Sequence, residues 1–281
     1  MVTDSSACLP QELLDAHSIL TVPLILQVGD RSFPDGSLPA AELFRMAEET
    51  GSPPRTASPS PADFLAAFRV ATEAGASNIL CLTLSAAYSG TYDSAIAAKE
   101  LASGSLPGID IEVVDTGGLA MTHGFAVLAA ARALDVGATI GDAVTRSQKV
   151  AASARLAGLL GTTRYLAKGG RVPWIVHWAT QILRIRPLLA FEDGRAHSIG
   201  RVRTEAKGLE RLLEYSARYR NQGMRVAVAH TEAPAAADAL AEMACHRLAP
   251  VEILRTDFTS VMAVHTGPGF VGLAFYSDAG D

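Results

Sequence analysis

Apolar and polar positions in the first half of the chain alternate between two periods. Val2-Thr3 is a short apolar beginning that stops at Asp4-Ser5-Ser6, and residues 10–16 read as a helical turn. Residues 19–26 form the next strand-like run, and Leu38-Pro39 opens a helix over residues 40–49. Ser60-Pro61-Ala62-Asp63 is a strong helix start, with a capping Ser, Pro at the first helical position and a carboxylate three residues after the cap. Phe64, Leu65, Phe68 and Ala71 then share one helical face, and Gly75 closes the helix. Residues 79–84 are a nearly continuous apolar run, the pattern of a strand covered on both faces. A helix over residues 91–101 and a shorter strand over 111–114 repeat the unit. These βαβ steps predict a parallel sheet.

The pattern changes near Val150. Residues 186–191 and 196–202 flank Glu192-Asp193-Gly194-Arg195, where Asp-Gly signals a hairpin. A long amphipathic helix follows over residues 205–219, then a buried strand over 224–229 and a helix over 233–245. Runs at 251–254, 261–264 and 271–276 read as strands that finish the chain. Hairpins mixed with helices predict a mixed or antiparallel sheet. At 281 residues the chain also exceeds a single average domain. The expected fold is therefore α/β in two domains. A parallel-sheet, Rossmann-like domain spans residues 1–152, and an α/β domain with a mixed or antiparallel sheet spans 153–281.

Composition narrows the function. Hydrophobic residues are 49% of the chain and charged residues 19%, which suits an apolar interior better than an extensively charged surface. The net charge of −5 argues against a nucleic-acid partner, which requires a basic face. Cys8, Cys81 and Cys245 lie far apart and form no disulfide framework; Cys81, inside an apolar run, reads as a small buried hydrophobe in a reduced compartment. Met1 leads directly into Val2-Thr3-Asp4-Ser5, so no signal peptide is read and a cytoplasmic location is expected. Two uncharged stretches, 74–92 and 258–277, are interrupted by Gly, Ser, Thr or Pro, which argues against a membrane span.

In a parallel sheet, ligands bind beyond the carboxyl ends of the strands. The segments there are Asp4-Ser5-Ser6, Ser85 through Ser89-Gly90-Thr91, and Asp115-Thr116-Gly117-Gly118. Ser89-Gly90-Thr91 stands just before a helix, where free backbone N–H groups and the helix dipole favour an anion. Ser89 or Thr91 could equally be only an N-cap. Thr56-Ala57-Ser58-Pro59-Ser60 is a second hydroxyl cluster, which could serve only loop solubility and one cap. His265-Thr266-Gly267-Pro268-Gly269 places a His at the end of an apolar run, ahead of a tight turn, although a lone His is commonly structural. There is no Gly-x-x-x-x-Gly-Lys loop, no metal-ligand spacing and no Gly-x-Ser-x-Gly elbow at Ser89. Asp4, Ser89 and His265 have the composition of a catalytic triad, without any geometry to join them.

Taken together these segments resemble the DegV family of bacterial fatty-acid-binding proteins. The resemblance is carried by Asp4-Ser5-Ser6, Thr56-Ala57-Ser58-Pro59-Ser60 and Leu84 through Tyr92. It continues with Val114-Asp115-Thr116, Tyr165-Leu166-Ala167-Lys168-Gly169-Gly170-Arg171-Val172, Ile185-Arg186-Pro187-Leu188-Leu189 and His265-Thr266-Gly267-Pro268-Gly269, in the family's order and over nearly the whole chain. The chain departs from the usual pattern at Ala57, Ala86 and Arg186, positions that bear on secondary hydrogen bonds.

The resemblance implies a long-chain fatty acid in an apolar tunnel, with no other cofactor and no metal. Its carboxylate would be held by Thr56, Ser89 and His265, with the Gly90 N–H assisting. It also implies a non-enzymatic carrier that presents the carboxylate to a separate fatty acid kinase, with Arg171 and Arg203 as docking arginines. Neutral donors can hold a carboxylate without burying an unpaired cation. Each buried CH₂ of the tail would contribute about 0.8 kcal/mol. Two other readings stay open: a serine hydrolase of lipid esters using Ser89 and His265, and a binder of another amphiphilic acid with no kinase partner.

Overall fold

A computed structural model describes residues 1–172 and 185–277. Four strands, β1 (Val2–Asp4), β2 (Leu20–Val22), β6 (Asn78–Thr83) and β7 (Asp110–Asp115), form an entirely parallel sheet in the order β2-β1-β6-β7. Helices α3 (Pro61–Glu73) and α4 (Thr91–Ser105) cover one face, where Phe64, Phe68, Ala95 and Ala98 pack on Val2, Ile79 and Cys81. The start of α3 forms as its sequence predicts: the Ser60 hydroxyl accepts from the Asp63 N–H, and the Asp63 carboxylate accepts from the Ser60 N–H. Cys81 is completely buried in this layer.

The second sheet has six strands: β8 (Arg155–Leu159), β9 (Arg186–Glu192), β10 (Arg195–Val202), β11 (Met224–Thr231), β12 (Glu252–Asp257) and β13 (Phe270–Ser277). Their order is β10-β9-β8-β13-β11-β12, antiparallel throughout except for the parallel β11–β12 pair. The mixed sheet is thus as expected, including the Asp193-Gly194 hairpin between β9 and β10. Its outer face carries α8 (Glu205–Ala217) and α9 (Pro234–Leu248), through Leu209, Leu212, Leu240 and Ala241.

Between the two sheets lies α5 (Met121–Asp135), every residue of which from Met121 to Ala131 is buried. Val127, Ala130 and Ala131 face the parallel sheet, while Met121, Phe125 and Ala129 face the mixed one. A helix apolar on all sides is stable only when enclosed in this way. The neighbouring α6 (Ile140–Ser153) completes the layer and leads into β8.

Two expectations are corrected. Residues 19–26 are not one strand, because β2 ends at Val22 and β3 (Ile25–Val28) belongs to a different sheet. Pro23 between them has no N–H to continue a ladder. β3 pairs antiparallel with β4 (Arg31–Pro34) and β5 (Arg55–Ala57), making a small third sheet backed by α2 (Ala40–Thr50). Residues 261–264 are likewise no strand; they lie in a helix, α10 (Ser260–Thr266). Asp35 accepts from the Val261 N–H at 3.0 Å, and the Ser260 hydroxyl donates to the Leu38 carbonyl. Val261 and Val264, three apart, then pack with Leu26, Val28, Leu43 and Met46. A four-residue apolar run carries no period of its own, and these tertiary partners decide it.

Candidate functional site

The small sheet and α10 bring together residues from the two ends of the chain. Thr56 lies on β5 opposite Leu26, and His265 lies in the last turn of α10. The cluster around Leu26 and Val264 fixes their separation, so that Thr56 Oγ1 and His265 Nε2 stand 3.1 Å apart. Gly267, with φ of +74°, ends α10 and packs against Tyr165; a Cβ there would lie 2.5 Å from that ring. No residue but glycine satisfies both the dihedral and the contact.

His265 Nδ1 is sealed from solvent and has no hydrogen-bond partner among the described residues. Burial, helped by the Arg171 guanidinium, pushes the imidazole down to about 4, so it is neutral at pH 7. Gly169 permits this arrangement: a Cβ at that position would lie 2.9 Å from Nδ1. Gly169 ends the short helix α7 (Arg164–Gly169), with Gly170 in the left-handed region as its cap. The Gly-Gly pair was visible in the sequence, but nothing local linked it to a histidine almost one hundred residues on.

Ser89 and Gly90 reach the site from the parallel sheet. The N-cap of α4 is Gly90, and no side chain caps that helix. The Ser89 hydroxyl is therefore not a cap; it bonds Ser58 Oγ at 3.0 Å and Thr91 Oγ1 at 2.9 Å. Ser58, among the hydroxyls of its cluster, was not singled out from sequence, because its partner comes from 31 residues away. Thr56, Ser58, Ser89, Gly90 and His265 all line one cavity of about 270 Å³. Beyond them its wall is apolar, built from Leu156, Leu189, Phe191 and Phe270 of the mixed sheet with Leu84 and Phe258. It lies beyond the carboxyl ends of β1 and β6, through Ser6 and Leu84, as a parallel sheet predicts.

Arg171 is exposed at the edge of the same cavity, where its guanidinium donates to the Gly169 carbonyl at 2.8 Å. Arg203 is not part of it. It lies in a separate groove with Arg201, Lys207 and Arg211. Asp4 does not meet His265: its carboxylate accepts from Ser6 and from the Leu84 N–H, and the nearest imidazole is that of His123. Of the three residues with triad composition, Ser89 pairs with hydroxyls and His265 with Thr56. Among the described residues no group of three His, Cys, Asp or Glu side chains is placed to hold a metal, and no helix is long and apolar enough to cross a membrane.

The fold and cavity define a protein with a parallel and a mixed sheet, closed over an apolar cavity whose polar head is assembled from both halves of the chain. The chain belongs to the DegV family: the family model described as "Uncharacterised protein, DegV family" matches residues 1–278. A DegV domain-containing protein of Streptomyces coelicolor is 36% identical over 279 residues, covering 99% of this chain and 98% of the relative. Among solved structures, a fatty-acid-binding DegV family protein from Thermus thermophilus is 30% identical with a TM-score of 0.88, covering 98% of each chain. A stearic-acid-binding protein from Eubacterium ventriosum is 27% identical with a TM-score of 0.89, covering 98% of this chain and 97% of the other.

Proposed function

We propose that this protein binds a long-chain fatty acid, its tail in the apolar cavity and its carboxylate on Thr56, Ser89, the Gly90 N–H and His265. The observation that carries this reading is His265 itself. It is a neutral imidazole with an unpaired, sealed Nδ1, and its Nε2 lies 3.1 Å from a hydroxyl at the polar end of an otherwise apolar cavity. Buried polar groups are nearly always satisfied, so a cluster left incomplete beside a cavity suits a ligand that completes it. The fatty acids bound by the Thermus and Eubacterium proteins support the same chemistry here.

The protein acts as a carrier that presents the carboxylate to a separate fatty acid kinase. The absence of a phosphate-cradling Gly-x-x-x-x-Gly-Lys loop supports this division of labour. We divide the carrier after residue 152, in the last turn of α6 and ahead of the mixed sheet. The test is mass spectrometry of lipid released by denaturing gently purified protein, with about one fatty acid expected per chain for a single apolar site. Recovery of phospholipid only, or of no lipid, overturns the reading. Labelling of Ser89 by a fluorophosphonate probe would instead make the protein a serine hydrolase.

A further inference from the structure

Ser5 and Ser6 follow β1 directly, at the end of the parallel sheet where a ligand is expected, yet only Ser6 lines the apolar cavity. Ser5 turns instead to the small sheet. Its Oγ accepts from the Leu24 N–H at 3.1 Å and donates to Asp35 Oδ2 at 2.6 Å. Asp35 follows β4, and its own N–H donates to the Leu24 carbonyl at 2.8 Å. The carboxylate is buried, with no cation paired to it among the described residues. Burial pushes it above the usual carboxylate range, and hydrogen bonds, first from Ser5 and then from the Val261 N–H, oppose that rise. Burying a charge without a counter-ion costs free energy that an apolar side chain here would not. What the carboxylate gives in return is the placement of α10.

Thr259, the N-cap of α10, makes no side-chain capping bond. Asp35 Oδ1 takes that role from across the fold, accepting from the Val261 N–H at 3.0 Å. The helix has only seven residues, too few to be stable by itself, so its tertiary ties decide where it lies. His265 stands four residues, about one turn, beyond Val261, and Val261, Met262, His265 and Thr266 all line the apolar cavity. A shift of the first turn is therefore carried to the imidazole. We propose that Asp35 is the positioning residue of His265: together with Ser5 it bolts the first turn of α10 to the end of β1 and so sets the imidazole against Thr56. It acts through position rather than charge, since burial and the Arg171 guanidinium set the His265 titration. The consequence for fatty acid affinity rests on the proposed function, whereas the placement is a property of the empty protein.

The experiment follows the His265 imidazole by NMR in lipid-free protein, its signal identified by its loss in His265→Asn, and measures palmitate affinity in parallel. In the wild type the ring titrates at about 4. Asp35→Ala should let α10 drift and water reach the ring, raising that value to about 5 or higher, toward the usual value of about 6.5. Loss of a negative charge alone would move it down, so the sign separates position from charge. Palmitate should bind about tenfold more weakly. Asp35→Asn keeps an acceptor for the Val261 N–H, and should leave the titration near the wild-type value and the affinity within about threefold. Where Asp35→Ala does not fold, Ser5→Ala removes one bond to the carboxylate and should give smaller shifts in the same directions. An unchanged His265 titration in folded Asp35→Ala, or in Ser5→Ala where the former does not fold, overturns the proposal even if affinity falls. A merely structural role weakens binding without moving the imidazole. Asp35→Asn matching Asp35→Ala in the titration also overturns it, because the retained acceptor would then not place the helix. Failure of the wild type to bind palmitate overturns the proposed function instead and leaves the titration test standing.

Discussion

His123 is completely buried and His265 partly so, and burial pushes both imidazoles below the usual histidine range. Around His123 the structure is finished. Its Nδ1 lies 2.9 Å from Thr116 Oγ1 and its Nε2 3.1 Å from Thr3 Oγ1, and the neutral ring donates to one threonine and accepts from the other, leaving only one hydroxyl hydrogen for the neighbouring carbonyls, Thr83 beside Thr116 and Leu82 beside Thr3. Around His265 one nitrogen faces Thr56, the other abuts Gly169 with no hydrogen-bond partner among the described residues, and the ring borders two cavities. The contrast separates a histidine that holds strands together from one that we propose binds a ligand. Beyond the difference in burial, the satisfied nitrogens and the adjoining cavities distinguish them.

The largest effect that tests this contrast is on stability. His123→Ala removes a fully buried ring and both of its hydrogen bonds, and should destabilise the protein by about 4 kcal/mol in denaturant unfolding. His265→Ala in the lipid-free protein should be nearly neutral, because a residue kept for binding is rarely at its stability optimum. Equal losses from the two substitutions would break the comparison.

Next in size is the pH dependence. An unfolded histidine titrates near 6.5, while His265 in the folded, empty protein titrates at about 4. Between those values the unfolded chain holds a proton that the folded chain refuses, so stability is full above pH 6.5 and falls as the pH drops, by about 3 kcal/mol at pH 4. His123 contributes with the same sign, and Asp35, which burial pushes up, with the opposite one. The His265 share is therefore read as the difference between wild type and His265→Asn. Loading with fatty acid should shrink that difference, since an adjacent carboxylate raises the imidazole pKa. An NMR titration giving the same value for empty and loaded protein would remove His265 from the head-group site.

Smaller again are the hydroxyls. Thr56→Ala and Ser89→Ala should each cost about 1.5–3 kcal/mol of binding, roughly a ten- to hundredfold loss in lipid exchange, with unfolding unchanged. Wild-type affinity in both variants would move the carboxylate elsewhere.

What the sequence made legible follows from the range of each signal. The start of α3 was readable because Ser60, Pro61 and Asp63 act on one another within a single turn. The parallel and mixed sheets were readable because each strand carries its own apolar run. The small third sheet was hidden, since β3 and β4 are short and their third strand, β5, lies beyond a whole helix. The helical state of residues 260–266 was hidden because it depends on Asp35 and Leu38, more than two hundred residues earlier. The family motifs pointed to Thr56, Ser89 and His265, but the Thr56–His265 pairing, the Ser58–Ser89 bond and the role of Gly169 are tertiary facts with no local trace.

The smallest expected effect concerns the proposed kinase, and it sharpens the contrast by asking how far the candidate site extends. Arg171 stands at the edge of the apolar cavity, whereas Arg203 lies in a different groove among Arg201, Lys207 and Arg211. An exposed charge contributes at most about 1 kcal/mol to a contact, so each substitution to Ala should slow acyl phosphate formation only a few-fold at limiting carrier. Fatty acid affinity should be retained in Arg203→Ala, which is remote from the head group. The difference between wild type and either variant should narrow as salt rises, because salt screens the contacts that were lost. If a kinase bridges both regions, the two single variants should be similar and the double variant should show the sum of their effects in free energy, as expected for separated sites. A defect confined to Arg171→Ala would restrict docking to the cavity mouth, and wild-type rates in both variants would place the kinase on another face.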